Sequence, residues 1–396
     1  MSGASAELER VYRAEARRLR AALAARVGDV GLAEELVQEA FAEAAEHWPR
    51  EGVPPNPGGW LATTARRKGV DRLRRVRLGE VKVALLEPPP AAGDEDDELL
   101  GLVFACCHPA LARESQIALT LRAVCGLTTA EIAAAYLVSE PTMAQRLTRA
   151  RKAVQGTAVR LPDPDELDAR LSEVLTVIYL VFNEGYLASA GRTPARRDLA
   201  AQAVGLARLL HPLMPQQPEV LGLLALLLLH ESRAATRFDS WGRLVRLPEQ
   251  DPKRWDRALI AEATALLDRA MAMRAPGQYQ IQAAIAALHA EAPAYGETDW
   301  RQIRLLYTRL DELTPSPVVR LNRAVATRFA IGPRAALSEV DELAADLDGY
   351  RLFHAVRAEL LDALDRPDEA RTANERALAL TANPAERELL ARRLSV

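Results

Sequence analysis

From residue 171 to residue 396 the chain is a succession of segments, each 10–18 residues long, with apolar residues at helical spacing. The breaks between them carry Pro or Gly: HPLMPQQP, PEQDP, RAPGQ, TPSP and IGP. Neither here nor upstream is there a convincing run of alternating β-branched residues, so the pattern leaves room for helices packed on helices and little else. Aromatic residues make up only 5% of the 396, while Ala, Leu and Arg abound, which also favours helix over sheet. Shifting the chain by 34 residues brings Arg323 onto Arg357, Ala324 onto Ala358, Pro333 onto Pro367, Ala336 onto Ala370 and Ala345 onto Ala379. Small residues at matched positions let paired helices approach closely, and 34 is the period of tetratricopeptide (TPR) repeats. The predicted fold class is all-α.

Several function classes drop out. The longest apolar run, Val220 to Leu229, is ten residues, half of a membrane span, and reads as a buried core helix. The opening MSGASAELERVYR turns polar at once and shows no signal peptide. Three cysteines cannot form a disulfide framework, so a cytoplasmic protein is expected. Lys and Arg total 51 against 54 Asp and Glu, a net charge of −3, so any nucleic-acid site must be a local stripe. Charge is indeed segregated. Residues 66–77 (RRKGVDRLRRVR) hold seven basic residues and one acid, and residues 87–98 (EPPPAAGDEDDE) hold six acids and no base. The acidic, proline-rich stretch reads as an extended linker, and LPDPDE at 161–166 marks a second boundary.

Three segments carry candidate chemistry. In TTAEIAAAYLVSEPTMAQRLTRARKAV, Thr128 with Glu131 forms a capping box and Ser139 is a second N-cap. Met143, Leu147, Ala150 and Val154 share one face, and Thr142, Gln145, Arg146 and Arg149 occupy the opposite one. A second helix with one packed face and one Arg/Gln/Thr face is what major-groove reading requires, although a solvated helical hairpin has the same pattern. In 56–77, Asn56 and Pro57 fit N-cap and N1, Trp60, Leu61, Ala65, Leu73 and Val76 line one side, and basic residues crowd the rest. In 33–46, Leu36, Val37, Ala40, Phe41 and Ala44 form an apolar face opposite Glu34, Glu35, Gln38, Glu39, Glu43 and Glu46. That acidic face is either solvated or turned to a basic protein partner.

In this order, AEELVQEAFAEA (33–44), GGWLATTARRKGVDRLRR (58–75) and LTTAEIAAAYLVSEPTMAQRLTRARK (127–152) resemble the extracytoplasmic-function (ECF) class of the sigma-70 family, bacterial RNA polymerase specificity subunits. Leu137 stands where many region 4 turns have Gly. YLVFNEGYLAS (179–189) and the 34-residue period resemble the large TPR-like extension of one ECF subgroup. The resemblance implies a region 2-like domain at 1–78, a linker at 79–98, a region 4-like helix-turn-helix domain at 99–160 and a TPR-like extension at 161–396. It also implies roles. Glu35, Gln38, Glu39 and Phe41 match positions that bind the β′ clamp helices of core RNA polymerase, and region 4 meets the β flap. Arg66, Arg67, Lys68, Arg72, Arg74 and Arg75 match the helix that engages and opens the −10 element of promoter DNA. Thr142, Gln145, Arg146 and Arg149 match the −35 recognition helix, and the acidic linker matches the segment that threads the polymerase cleft. A further protein partner on the extension is expected.

Other constellations imply less. Cys106, Cys107 and His108, with Cys125 nearby, invite a metal reading, but adjacent cysteines do not readily share a tetrahedral ion and free Cys is usually a small buried hydrophobe. His211, His230, His289 and His354 are scattered, and Asn183 to Tyr186 suit a structural hydrogen-bonding role. The sequence shows no phosphate-binding Gly-rich loop and no nucleophile elbow. The expectation is a sigma factor, not an enzyme, with no cofactor and no metal. The alternative is a one-component helix-turn-helix regulator with a solenoid sensor.

Overall fold

The computed structural model describes residues 3–75, 95–136, 138–187 and 195–394. The linker through Asp94, the turn residue Leu137, and Ala188 and Ser189 of the 179–189 segment lie outside the described residues. Among the described residues the regular elements are all helices, and strand pairing is limited to an isolated bridge between Phe238 and Leu244. The chain divides into two compact units, Met1–Val181 and Phe182–Val396.

The first unit begins with α1 (Gly3–Val27), α2 (Val30–Glu51) and α3 (Pro57–Arg75), and α2 packs on both others. Local sequence sets the starts. The Asp29 carboxylate accepts from Leu32 N at 3.0 Å, and the Asn56 amide oxygen accepts from Gly59 N at 2.9 Å, with Pro57 opening α3. The predicted apolar face of α2, Leu36 to Ala44, is buried, as are Leu61 and Ala65 of α3. Next come α4 (Glu95–Cys106), α5 (Arg113–Ala123), α6 (Thr129–Ala135), α7 (Glu140–Ala153) and α8 (Pro164–Tyr186). Glu95 to Glu98, the last residues of the acidic stretch, are already the first turn of α4, which packs along α1. Cys106 and Cys107 are packing groups. Both are fully buried, and burial pushes the Cys107 thiol up to about 12, which keeps it protonated. The LPDPDE break opens α8, whose residues through Val181 belong to this unit. There Val174, Leu175, Val177 and Ile178 are buried, Arg170 donates to Phe104 O at 2.7 Å, and Arg113 pairs with Glu173 at 2.9 Å.

The second unit is built on α9 (Arg197–Leu213), α10 (Pro218–Glu231), α11 (Arg257–Ala272) and α12 (Gln278–Glu291). Val220 to Leu229, the ten-residue apolar run, is buried throughout because α9, α11 and α12 all pack on α10. Gly222 allows the close approach of α12, since a Cβ there would stand 2.7 Å from Gln280 N. No helix among the described residues is long and apolar enough to cross a membrane. Then follow α13 (Trp300–Leu313), α14 (Pro317–Ala330), α15 (Pro333–Asp341), the short α16 (Ala344–Leu347), α17 (Arg351–Asp362), α18 (Pro367–Ala379) and α19 (Pro384–Leu394). The 34-residue offset is visible in three dimensions. Pro333 and Pro367 are the first residues of α15 and α18, Ala324 and Ala358 are both fully buried, and Ala336 and Ala370 are buried one helix later. Helices α14 and α17 start 34 residues apart, so the match marks two successive helical hairpins sharing one core.

Candidate nucleic-acid and polymerase interface

The acidic face of α2 and the basic face of α3 meet. Arg72 reaches Glu35 at 2.6 Å and Glu39 at 3.3 Å, Lys68 reaches Glu43 at 2.9 Å, and Arg67 also pairs with Glu43. Hydrogen bonding from Lys68, then Arg67, holds the Glu43 carboxyl below the usual carboxylate range. Glu35, Gln38 and Glu39 are exposed, Arg67 and Arg72 are exposed, and Arg66 and Lys68 are half-buried. Phe41 lies in the core, edge-on to Tyr12 with ring centres 4.9 Å apart, where it fixes α2 against α1 instead of reaching outward. Arg74 and Arg75 lie in the last turn of α3, and their side chains are outside the described residues. The sequence pattern placed the two charged faces on separate helices. It could not show that the helices are antiparallel neighbours with these faces along one seam.

The second constellation is α6–α7. The capping box forms as expected. Thr128 N and Oγ1 both donate to Glu131 Oε2 at 2.8 Å, and Glu131 N donates to Thr128 Oγ1 at 3.2 Å. Ser139 caps α7 by accepting from Thr142 N at 3.3 Å, and its hydroxyl meets that of Thr142 at 2.8 Å. Met143, Leu147, Ala150 and Val154 are buried. Thr142, Gln145 and Arg149 are exposed on the other side, and Arg146 is half-buried with its guanidinium 5.4 Å from the centre of the Tyr136 ring. The four side chains expected to read DNA thus share α7, three projecting and one partly pinned.

The charge pattern of 33–46 groups Glu34 with the acidic face, yet its side chain is only 5% exposed. It forms ion pairs with Arg122 of α5 and Arg151 of α7, and it accepts from Gln38 Nε2 at 3.2 Å. Arg20, also buried, donates to Arg122 O at 2.8 Å beside it, and Gln155 donates to the Asp29 carboxylate at 3.0 Å. The signal was present. Val30, Glu34, Val37 and Phe41 fall at i, i+4, i+7 and i+11, so Glu34 sits on the apolar stripe. A buried carboxylate on such a stripe needs cations from elsewhere in the fold.

Two helical modules, one carrying charged surface helices and one a helix-turn-helix, have the arrangement of a DNA-binding transcription factor. Comparison with known families places sigma-70 region 2 at residues 11–78 and sigma-70 region 4 at residues 102–154. Residues 170–271 match a family of unknown function, DUF6596. An uncharacterized protein of Rhizobium meliloti (strain 1021) is 46% identical over 376 residues, which is 90% of this chain and 88% of that protein. No solved structure matches. The chain belongs to the sigma-70 family, with regions 2 and 4 in the ECF-type arrangement followed by a helical C-terminal domain. Members of the family are transcription initiation factors, not enzymes, and they bind core RNA polymerase and promoter DNA.

Proposed function

We propose that this sigma factor is cytoplasmic, reads the −35 element with α7 and opens the −10 element with α3. The observation that carries this reading is the two-sidedness of α7: Met143, Leu147 and Ala150 are buried, while Thr142, Gln145 and Arg149 project together from a capped helix. Glu35, Gln38 and Glu39 are the groups for the β′ clamp helices, with Phe41 acting from beneath as a support. Region 4 meets the β flap. Arg66, Arg67, Lys68, Arg72, Arg74 and Arg75 serve the −10 region. Arg72 is held by Glu35 and Glu39 in exposed pairs worth about 0–1 kcal/mol each, which phosphates can replace at little cost, while Arg67 and Lys68 share the half-buried Glu43.

The domains follow the same reading with two boundaries moved: the sigma domains are 1–78 and 95–181, since α4 begins at Glu95 and α8 belongs to the first unit through Val181, 79–94 is the linker, and 182–396 is a TPR-like extension. The hairpins at a 34-residue offset support that name. The extension regulates activity or binds a protein partner. Purified core polymerase with this protein alone is expected to initiate from a cognate promoter. A one-component regulator would require another sigma factor in the same tube, and that requirement would overturn the reading.

A further inference from the structure

The geometry points to a binding site for a small organic anion in the second unit, a cleft in which Arg237 holds the anionic group of a ligand with an apolar body. The cleft has a volume of about 320 Å³ and is walled by Gly185, Tyr186, Ala200, Ala234, Arg237 and Phe238 among others. Its size is within the range of small-molecule sites. Gly185 closes one end by letting α8 approach the start of α9. Its carbonyl accepts from Arg196 N at 2.9 Å, and a Cβ there would collide with Ala200 N at 2.3 Å.

The charges around the cleft do not balance. The Arg237 guanidinium lies over the Tyr186 ring at 3.6 Å, and its Nε is buried without a hydrogen-bond partner. Among the described residues Arg237 makes no ion pair. The carboxylate at the rim, Glu231, is paired with Arg197 at 3.4 Å, and Glu386, which acts on Arg237 from further away, is held by Arg351 at 2.7 and 3.0 Å. One turn before Arg237, Arg233 lies 5.8 Å from the centre of the Trp255 ring and meets His230 Nδ1 at 2.9 Å, again with no ion pair among the described residues.

His230 is half-buried beside it, its ring 5.2 Å from that of Tyr186. Burial, with Arg233 and Arg237 beside it, holds the imidazole well below its usual range, so it stays neutral and adds no counter-charge. Enclosing a cation without its anion is unfavourable, and a protein that keeps one in a cleft has left the place of the anion open. The planar guanidinium suits a carboxylate or a phosphate ester. The Gly, Ala and aromatic walls suit the rest of the ligand, and the two other charged groups of the lining, Arg197 and Glu231, face each other as an ion pair.

The test uses the full chain, with benzoate, octanoate and phenyl phosphate as probes, benzamide as the uncharged control and inorganic phosphate as the bare anion, all read by titration calorimetry. Saturable binding of at least one of the three organic probes is expected, at least tenfold weaker in Arg237→Gln. The carboxylate and phosphate arms then identify the head group. No binding of any organic probe overturns the proposal. So does equal binding to both proteins, binding of benzamide as tight as benzoate, or inorganic phosphate binding as tightly as phenyl phosphate, the mark of an adventitious ion only. Arg237→Met supplies a separate readout. A cation kept for a ligand leaves the unliganded protein equally or more heat-resistant when removed, whereas a lowered unfolding midpoint assigns Arg237 a structural role and overturns the site. No polymerase is present in these assays, so their outcome is separable from the reading of regions 2 and 4.

Discussion

Glu34 and Glu35 are adjacent in the chain and opposite in physics. Glu35 is exposed and meets Arg72 across solvent, where an ion pair contributes about 0–1 kcal/mol. Glu34 is buried between Arg122 and Arg151, and removing one member of such a cluster leaves cations without their counter-charge, which costs about 3–5 kcal/mol. Glu34→Ala is therefore expected to lower the unfolding free energy in urea by about 3 kcal/mol, and Glu35→Ala by less than about 0.5 kcal/mol. Equal effects would mean that water reaches the Glu34 cluster. The Arg72 pairs also bear on function. Reversing the charge at Arg72 would place an acid against Glu35 and Glu39 and disturb the α2 face together with the face proposed for DNA. Neutral replacements separate the two. Arg67→Gln with Arg72→Gln is expected to retain polymerase binding in a pull-down and to weaken promoter opening, read by permanganate footprinting. Loss of polymerase binding by a normally folded double variant would show that the seam between α2 and α3 serves one partner only.

At the scale of the helix, α7 separates cap, core and exposed edge along 14 residues. Ser139→Ala removes the acceptor of the Thr142 N–H and is expected to cost about 1 kcal/mol of stability without altering sequence preference. Gln145→Ala and Arg149→Ala should do the reverse, leaving stability nearly unchanged and relaxing choice at one or two upstream positions by roughly 1–3 kcal/mol each. Arg146→Ala loses its ring contact with Tyr136 as well, so both quantities should move. A promoter-library selection beside urea melts decides, and uniform weakening across all sequences would mean that these side chains touch only backbone phosphates. Elements of this kind are legible in a single sequence because caps and helical faces depend on residues within four positions of one another. Thr128 with Glu131, Asn56 with Pro57, the stripe from Met143 to Val154 and the buried run from Val220 to Leu229 all formed where the residues predicted. The pairing of Arg72 with Glu35, the inward turn of Phe41 and the cations around Glu34 depend on which helices become neighbours. Arg122 and Arg151 lie 88 and 117 residues from Glu34, and no local rule connects them. The cleft at Arg237 escaped for the same reason, since its walls come from α8, α9 and the turn after α10.

The whole molecule couples two units of different chemistry, and each permits its own measurement. In the second unit burial holds His289 down to about 4 and His230 well below its ordinary value. A group with a depressed folded pKa favours the folded state above its unfolded value, near 6.5, and that contribution fades as pH falls toward the folded value. Unfolding at pH 5.5 should thus take up about one proton through His289, and the stability–pH slope should fall by about that proton in His289→Gln. An unchanged slope would place His289 in contact with water. The larger question is what the extension does. Residues 161–396 carry a net charge of −4 and no stripe like 66–77, so promoter DNA is a poor partner and a protein surface the better one. Removing the extension at residue 165 would cut into the first unit, because α8 buries Val174 to Ile178 there and holds Arg113 through Glu173. The informative truncation ends at Val181, where the first compact unit ends. In run-off transcription on two promoters of different strength, residues 1–181 and the full chain are expected to differ in total output while ranking the promoters identically. A changed ranking would make the extension a reader of DNA. Equal output at equal concentration and equal fold stability would leave it without a role in initiation.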